Sequence, residues 1–178
     1  MKQVENIHKL VAQDRQGKQV FTRDDLATLF RENNPRALQT SLSQLIRGRF
    51  LVRAANGVYV NNISSRSYAN TLQSIAIALR RGEYNYISLE SALSEWGVIS
   101  QIPMRLTVMT TGRRGEFHTP LGIIEFTHTV RPVHDILNGI LKTGKPLRIA
   151  DKHKAMRDLR RVGRNLHLID EEVLYEDD

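Results

Sequence analysis

VFTRDDLATLF (Val20–Phe30), RENNPRALQTSLSQLIRGR (Arg31–Arg49) and FLVRAANGVYV (Phe50–Val60) follow one another without interruption. Thr22 precedes apolar residues at helical spacing (Leu26, Leu29, Phe30) and has Asp25 three positions on, the pattern of a capping box. Asp24 and Asp25 suit the positive end of the same helix. Asn34 is placed to cap a second helix with Pro35 at its first position, where a missing N–H costs little. Leu38, Leu42, Leu45 and Ile46 then recur at helical spacing and are expected to face a core. Arg36, Thr40, Ser43 and Arg47 lie on another face, flanked by Gln39 and Gln44. Asn56-Gly57 suits the two positive φ values of a type I′ hairpin turn, with Arg49 and Arg53 on its approach. Helix, turn, polar-faced helix and hairpin make the order of a winged helix-turn-helix, expected over residues 1–62.

That order sets a functional expectation. Arg36, Gln39, Thr40, Ser43, Gln44 and Arg47 carry groups able to reach base edges or phosphates in a major groove. Arg49, Arg53 and Asn56 are placed for the neighbouring backbone. The bland alternative is a solvated polar face on a domain that binds protein.

Working outward, Val4 to about Arg15 is expected as the leading helix, with Val4, Ile7, His8, Leu10 and Val11 on one side, His8 partly buried, and Gly17 closing it. Asn61 to Ser67 reads as a polar connector, and its Asn62-Ile63-Ser64 sequon has no meaning without a secretory signal. Residues 67–178 are expected as a second, α+β domain. Helices are expected at Tyr68–Arg81 with Gly82 as the stop, near Ser88–Trp96, at Pro132–Leu141 and at Lys152–Arg164. Strands are expected at Leu106–Thr110, around Glu116–His118 and at Ile123–His128, with Thr119-Pro120-Leu121-Gly122 as a turn. The fold class expected for the whole chain is α+β.

Charge is distributed unevenly. The 178 residues carry 26 Lys+Arg against 19 Asp+Glu. Residues 1–66 hold 11 basic and 5 acidic side chains, residues 67–169 hold 15 and 8, and Asp170–Asp178 holds no basic and 6 acidic ones. A basic body suits a nucleic-acid partner, because each neutralised phosphate releases counterions. The acidic end reads as a solvated terminus, or as a stripe that pairs with basic surface and tempers non-specific binding. The absence of cysteine excludes a disulfide framework, a thiolate metal site and a cysteine nucleophile. No stretch reaches the ~20 apolar residues of a membrane span, so the expectation is a cytoplasmic protein without membrane association.

The second half resembles a known family. YISLESALSEWGVISQIP (Tyr86–Pro103) and LTVMTTGRRGEFHTPLGIIEFTHT (Leu106–Thr129) are similar to the domain that follows the winged helix in AbiE-type antitoxins of type IV toxin–antitoxin systems. The matching elements are Ser88, Ser91, Ala92 and Leu93 on one helix, the Gly97-Val98-Ile99 step, Pro103, the Thr-rich strand, and Gly122 before an apolar strand ending at His128. With the winged helix in front, the resemblance covers about residues 5 to 135. It implies an antitoxin that represses its own operon, binding double-stranded operator DNA, typically as inverted repeats. It also implies a functional counterpart, a nucleotidyltransferase-like toxin opposed without a stable complex, in abortive infection against phage.

Other candidate chemistry is weaker. Gly139-Ile-Leu-Lys-Thr-Gly144-Lys145 imitates a phosphate-binding loop, but Pro146 stands where Ser or Thr must hold Mg²⁺. His134-Asp135 resembles part of a metal site without supporting partners, and His118, His128 and His134 form at most a conceivable cluster. Ser88 and Ser91 read as helix-capping or packing residues, and no acid–base pair of carboxylates stands out. The expectation is therefore no enzyme, no cofactor and no metal. Nine cations fall in the 23 residues Lys142–Arg164. Lys152, Lys154, Arg157, Arg160, Arg161 and Arg164 form the expected second basic patch, either a further nucleic-acid contact, RNA included, or a solvated face.

Overall fold

A computed structural model describes residues 1–63 and 68–176. The connector residues Ser64–Ser67, with the serine of the Asn62-Ile63-Ser64 sequon, and the last two acidic residues lie outside the described residues. The chain divides into two units, Met1–Leu79 and Arg80–Asp178.

Unit one runs α1 (Lys2–Arg15), β1 (Val20–Thr22), α2 (Arg23–Phe30), α3 (Pro35–Arg47), β2 (Leu51–Ala55), β3 (Val58–Asn61) and α4 (Tyr68–Leu79). Its sheet has the order β1-β3-β2, antiparallel throughout. The capping box at Thr22 is complete: Asp25 N–H donates to Thr22 Oγ1 at 3.2 Å and Thr22 N–H to Asp25 Oδ2 at 2.8 Å. Asn34 Oδ1 accepts from the N–H groups of Arg36 and Ala37, with Pro35 at the helix start. Leu10, Phe21, Leu26, Phe30, Leu38, Leu42, Leu45, Leu51 and Tyr59 form the core. That core buries one stripe each of α2 and α3, with α1 packed against both.

Several expectations change in this unit. β1 replaces what reads in sequence as the lead-in to a helix. Its three residues pair with β3, with Val20 opposite Val60 and Thr22 opposite Val58. His8 is exposed, and α1 instead buries Asn6, Leu10 and Asp14. At the hairpin Gly57 takes φ +72° but Asn56 does not take a positive φ, so the turn is not type I′. The register shifts between Arg53 and Ala55, and that irregularity takes up the strand twist an I′ turn otherwise supplies. α4, expected in the second domain, contacts β1 and β3, and its Thr71 hydroxyl donates to Gln19 Oε1 at 3.1 Å. The units therefore part at Leu79/Arg80 rather than at residues 62–67.

Unit two runs β4 (Asn85–Ile87), α5 (Leu89–Glu95), β5 (Arg105–Thr110), β6 (Gly115–Thr119), β7 (Gly122–His128), α6 (Val133–Leu137), β8 (Ile140–Leu141), β9 (Arg148–Ala150), α7 (Lys152–Val162) and α8 (Glu171–Tyr175), with a short 3₁₀ turn at Leu166–Leu168. The mixed sheet has the order β6-β7-β5-β4-β9-β8. β7 lies parallel to β5 and β9 parallel to β4, whereas β6/β7, β4/β5 and β8/β9 are antiparallel. α5 packs on β5 and α7, and α7 on β9. The helix expected over 132–141 stops at Leu137. Gly139 then turns at φ +86°, and Ile140 and Leu141 pair with Ala150 and Ile149. Sheet pairing outcompetes helix continuation there, and β9 is paired on both sides, by β8 and β4. The whole chain is α+β.

A buried polar knot fastens α7 to the sheet. Asp158, fully buried, accepts at Oδ2 from Tyr86 OH (2.9 Å) and Ser88 Oγ (2.8 Å). Its Oδ1 faces Arg131 Nε at 3.5 Å, an ion pair beyond good hydrogen-bond geometry, and neither atom has a hydrogen-bond partner among the described residues. Burial, and then the Asp158 charge, push the Tyr86 phenol far above its usual range, so it acts as a donor throughout.

Candidate nucleic-acid interface

α3 buries Leu38, Leu42 and Leu45 and leaves Arg36, Gln39, Thr40, Ser43, Gln44 and Arg47 exposed. The structure thus brings all six expected α3 residues to the solvent side. They are not equally available. Gln39 Oε1 accepts from Arg23 Nη1 at 2.8 Å, and Gln39 Nε2 donates to Ser43 Oγ at 3.4 Å. Thr40 Oγ1 bonds back to the Arg36 carbonyl at 3.0 Å, the usual resting state of a helical threonine. The Arg36 and Arg47 side chains extend into solvent without such ties among the described residues.

Arg23 is the residue that sequence reading missed. It heads α2, yet its guanidinium crosses to α3, donating to Gln39 and, at 3.1 Å, to the Pro35 carbonyl. An arginine in the first turn opposes the helix dipole, and that mismatch was the available signal that its charge is used elsewhere. On the wing, Arg53 Nη2 donates to Asn56 Oδ1 at 2.9 Å, so two expected backbone-contacting residues form one exposed pair. Arg49 occupies the turn between α3 and β2 at φ +61°, its carbonyl held by Asn62 Nδ2 at 3.0 Å. Helix face and wing present arginine, glutamine, threonine and serine groups, side chains of the kinds able to reach phosphates and base edges.

The second basic patch is placed differently from its sequence pattern. Lys154 is buried, donating to the Asp135 carbonyl at 2.8 Å and lying over the Tyr86 ring, and burial lowers its pKa. Arg164 falls beyond the end of α7 and forks onto Glu90, with Nε to Oε1 at 2.7 Å and Nη2 to Oε2 at 3.0 Å. Arg157 pairs with Asp135, Arg160 donates to Tyr175 OH at 3.3 Å, and Lys152 donates to the Glu176 carbonyl at 3.0 Å. Arg160 and Arg161 stay exposed. The expected continuous basic face is therefore divided by burial, by acidic partners and by the C-terminal acidic segment, which reaches α7 through Tyr175 and Glu176.

The other candidates are placed as follows. Lys145 of the loop-like Gly139–Lys145 run pairs with Glu95, and the run enters β8 instead of following a strand into a helix. His118 bonds Glu116, His128 Nδ1 meets the Gly112 carbonyl, and no group of metal-ligating side chains is assembled among the described residues. Ser88 points at Asp158, whereas Ser91 exchanges hydrogen bonds with the Thr107 N–H and the Arg105 carbonyl.

Fold and exposed helix face together define unit one as a winged helix-turn-helix in an α+β chain. The chain is similar in fold to the RV2827C protein from Mycobacterium tuberculosis, a crystal structure matched with a TM-score of 0.53 and 14% identity over 93% of this chain and 68% of that one. No protein-family model and no curated protein matches the chain. No described helix is long and apolar enough to cross a membrane.

Proposed function

We propose that the protein is a DNA-binding antitoxin that represses its own operon and counters a nucleotidyltransferase-like toxin without a stable complex. The observation that carries the DNA-binding part is the α3 face, with Arg36 and Arg47 exposed, in a domain whose wing carries the exposed Arg53–Asn56 pair. The antitoxin part rests on the resemblance of Tyr86–Thr129. In this reading α3 enters the major groove of operator DNA, two copies on an inverted repeat, and the wing meets the flanking backbone. Binding accounts for the whole activity, so the reading involves no catalytic step, cofactor or membrane, and the site of action is the cytoplasm.

The test is a titration of the purified chain onto its upstream DNA and onto scrambled DNA at two salt concentrations. Arg36→Ala and Arg47→Ala are each expected to weaken operator binding by ~1–3 kcal/mol, and a phosphate contact also to flatten the salt dependence. Equal affinity for both DNAs, or unchanged affinity in both variants, overturns the operator reading. A toxin that co-purifies stoichiometrically would favour direct neutralisation, with the winged helix as scaffold.

A further inference from the structure

Unit two contains an open cavity of about 390 Å³ to which none of the foregoing assigns a role. It lies beside α5, β5, β7 and the segment that follows α7, and its lining combines apolar and charged side chains. Ile99, Pro103, Met104 and Leu168 supply its apolar lining, and Met104 is 89% exposed. Glu90, Glu125, Arg105 and Arg164 supply its charged lining. Those four alternate in sign along one ladder: Glu90 holds Arg164, Arg164 reaches Glu125 at 2.5 Å, and Glu125 accepts from Arg105 Nη1 at 2.9 Å. The volume falls in the range of small-molecule sites, and an apolar wall facing a few convergent polar groups is their usual lining.

The charges define the ligand. The lining holds two carboxylates and two guanidiniums, with Glu116 outside it also accepting from Arg105 Nη1 at 2.5 Å, so a simple anion or cation gains from one set and is repelled by the other. Among the described residues no hydrogen bond uses Arg105 Nε or Nη2, or Arg164 Nη1. Those donors suit a carboxylate, because a guanidinium fork matches its two oxygens. Each Glu125 oxygen meets one arginine and retains a lone pair for an ammonium. Asn165 adds a further sign of a built site. It sits at φ +55° while its Nδ2 donates to Glu90 Oε1 at 2.9 Å, a strained backbone position held at the cavity wall.

We infer that this cavity binds a zwitterionic amino acid with an apolar side chain, its carboxylate on Arg105 and Arg164, its ammonium on Glu125, and its side chain against Met104 and Leu168. The inference does not depend on the DNA-binding reading, and its test reads ligand binding alone. Calorimetric titration of the full chain with leucine, methionine and phenylalanine is expected to give saturable binding. N-acetylleucine retains only the carboxylate and mimics a peptide C-terminus; leucinamide retains only the ammonium and mimics an N-terminus. Both are expected to lose binding, which separates a free amino acid from a chain end. Met104→Asp, at an exposed position where the fold should persist, is expected to weaken leucine binding at least ~10-fold by placing a charge in the apolar lining. Absence of saturable binding to all three amino acids, equal binding of either blocked derivative, or unchanged binding in M104D with native circular dichroism overturns the inference.

Discussion

Asp158 has no solvent exposure and supports three partners on two other segments, Tyr86 and Ser88 around β4 and Arg131 before α6. Removing one member of a buried ionic group costs more than the pair contributes, because the remaining charge stays desolvated. Asp158→Ala is therefore expected to destabilise unit two by about 3–5 kcal/mol in urea unfolding, whereas Ser88→Ala, which removes one donor of two, is expected to cost about 1 kcal/mol. Near-equal losses for the two variants would show that the charge is not what holds α7 down. Glu90 poses a different question at the same scale. Burial raises its pKa, but the hydrogen bonds from Arg164 and Asn165 outweigh burial and hold it below the ordinary value of 4.5. A carboxyl depressed in the folded state lends stability in full above its unfolded pKa and loses it as pH falls through the folded one. Stability is thus expected to fall from just above pH 4.5 downward. Glu90→Gln should flatten that fall while lowering stability at neutral pH, and an unchanged acid profile would remove the ion pair from the account.

At the scale of elements, the helices of unit one start where side chains intercept orphan backbone donors. Thr22 and Asn34 each satisfy N–H groups that a helix cannot satisfy itself. Thr22→Ala and Asn34→Ala are each expected to cost ~1 kcal/mol of unfolding free energy by thermal or urea denaturation. If α3 reads DNA as proposed, Asn34→Ala should also loosen the start of α3 and weaken operator binding, and intact affinity would detach the cap from that role. These elements were legible in sequence because caps, prolines and apolar periodicity are local signals. The strands β1, β4, β8 and β9 were not, being two or three residues long and specified by partners distant in the chain, as Tyr86 is opposite Arg148. The exposed α3 face was readable for the same local reason. Arg23 bonding to Gln39, and Lys154 buried among α7 cations, were not, because both depend on which element packs across. The cavity was hidden more deeply, its charged residues spread from Glu90 to Arg164.

At the scale of the whole molecule, the charge imbalance has a local answer on unit two. Residues 67–169 carry 15 basic and 8 acidic side chains, and the acidic C-terminal segment turns back onto this surplus. Asp170 N–H donates to the Val98 carbonyl at 2.9 Å, Leu174 is buried, and Tyr175 and Glu176 meet Arg160 and Lys152. An anchored apolar residue fixes the segment while Glu171, Glu172 and Glu176 stay exposed. If the α7 cations meet nucleic acid, carboxylates carried on the same segment would compete with phosphates for them, an effect that salt screens. Glu171→Gln, Glu172→Gln and Glu176→Gln combined keep the Asp170 cap and the Leu174 anchor, so the fold should persist. Affinity for scrambled DNA is then expected to rise severalfold at low salt, and the gain to shrink as salt screens both sets of charges. On the proposed reading operator preference should fall accordingly, since the α3 face is untouched while the non-specific background grows. Unchanged affinity for scrambled DNA at low salt would mean that the acidic segment guards no nucleic-acid path, and that Arg160 and Arg161 belong to a solvated face.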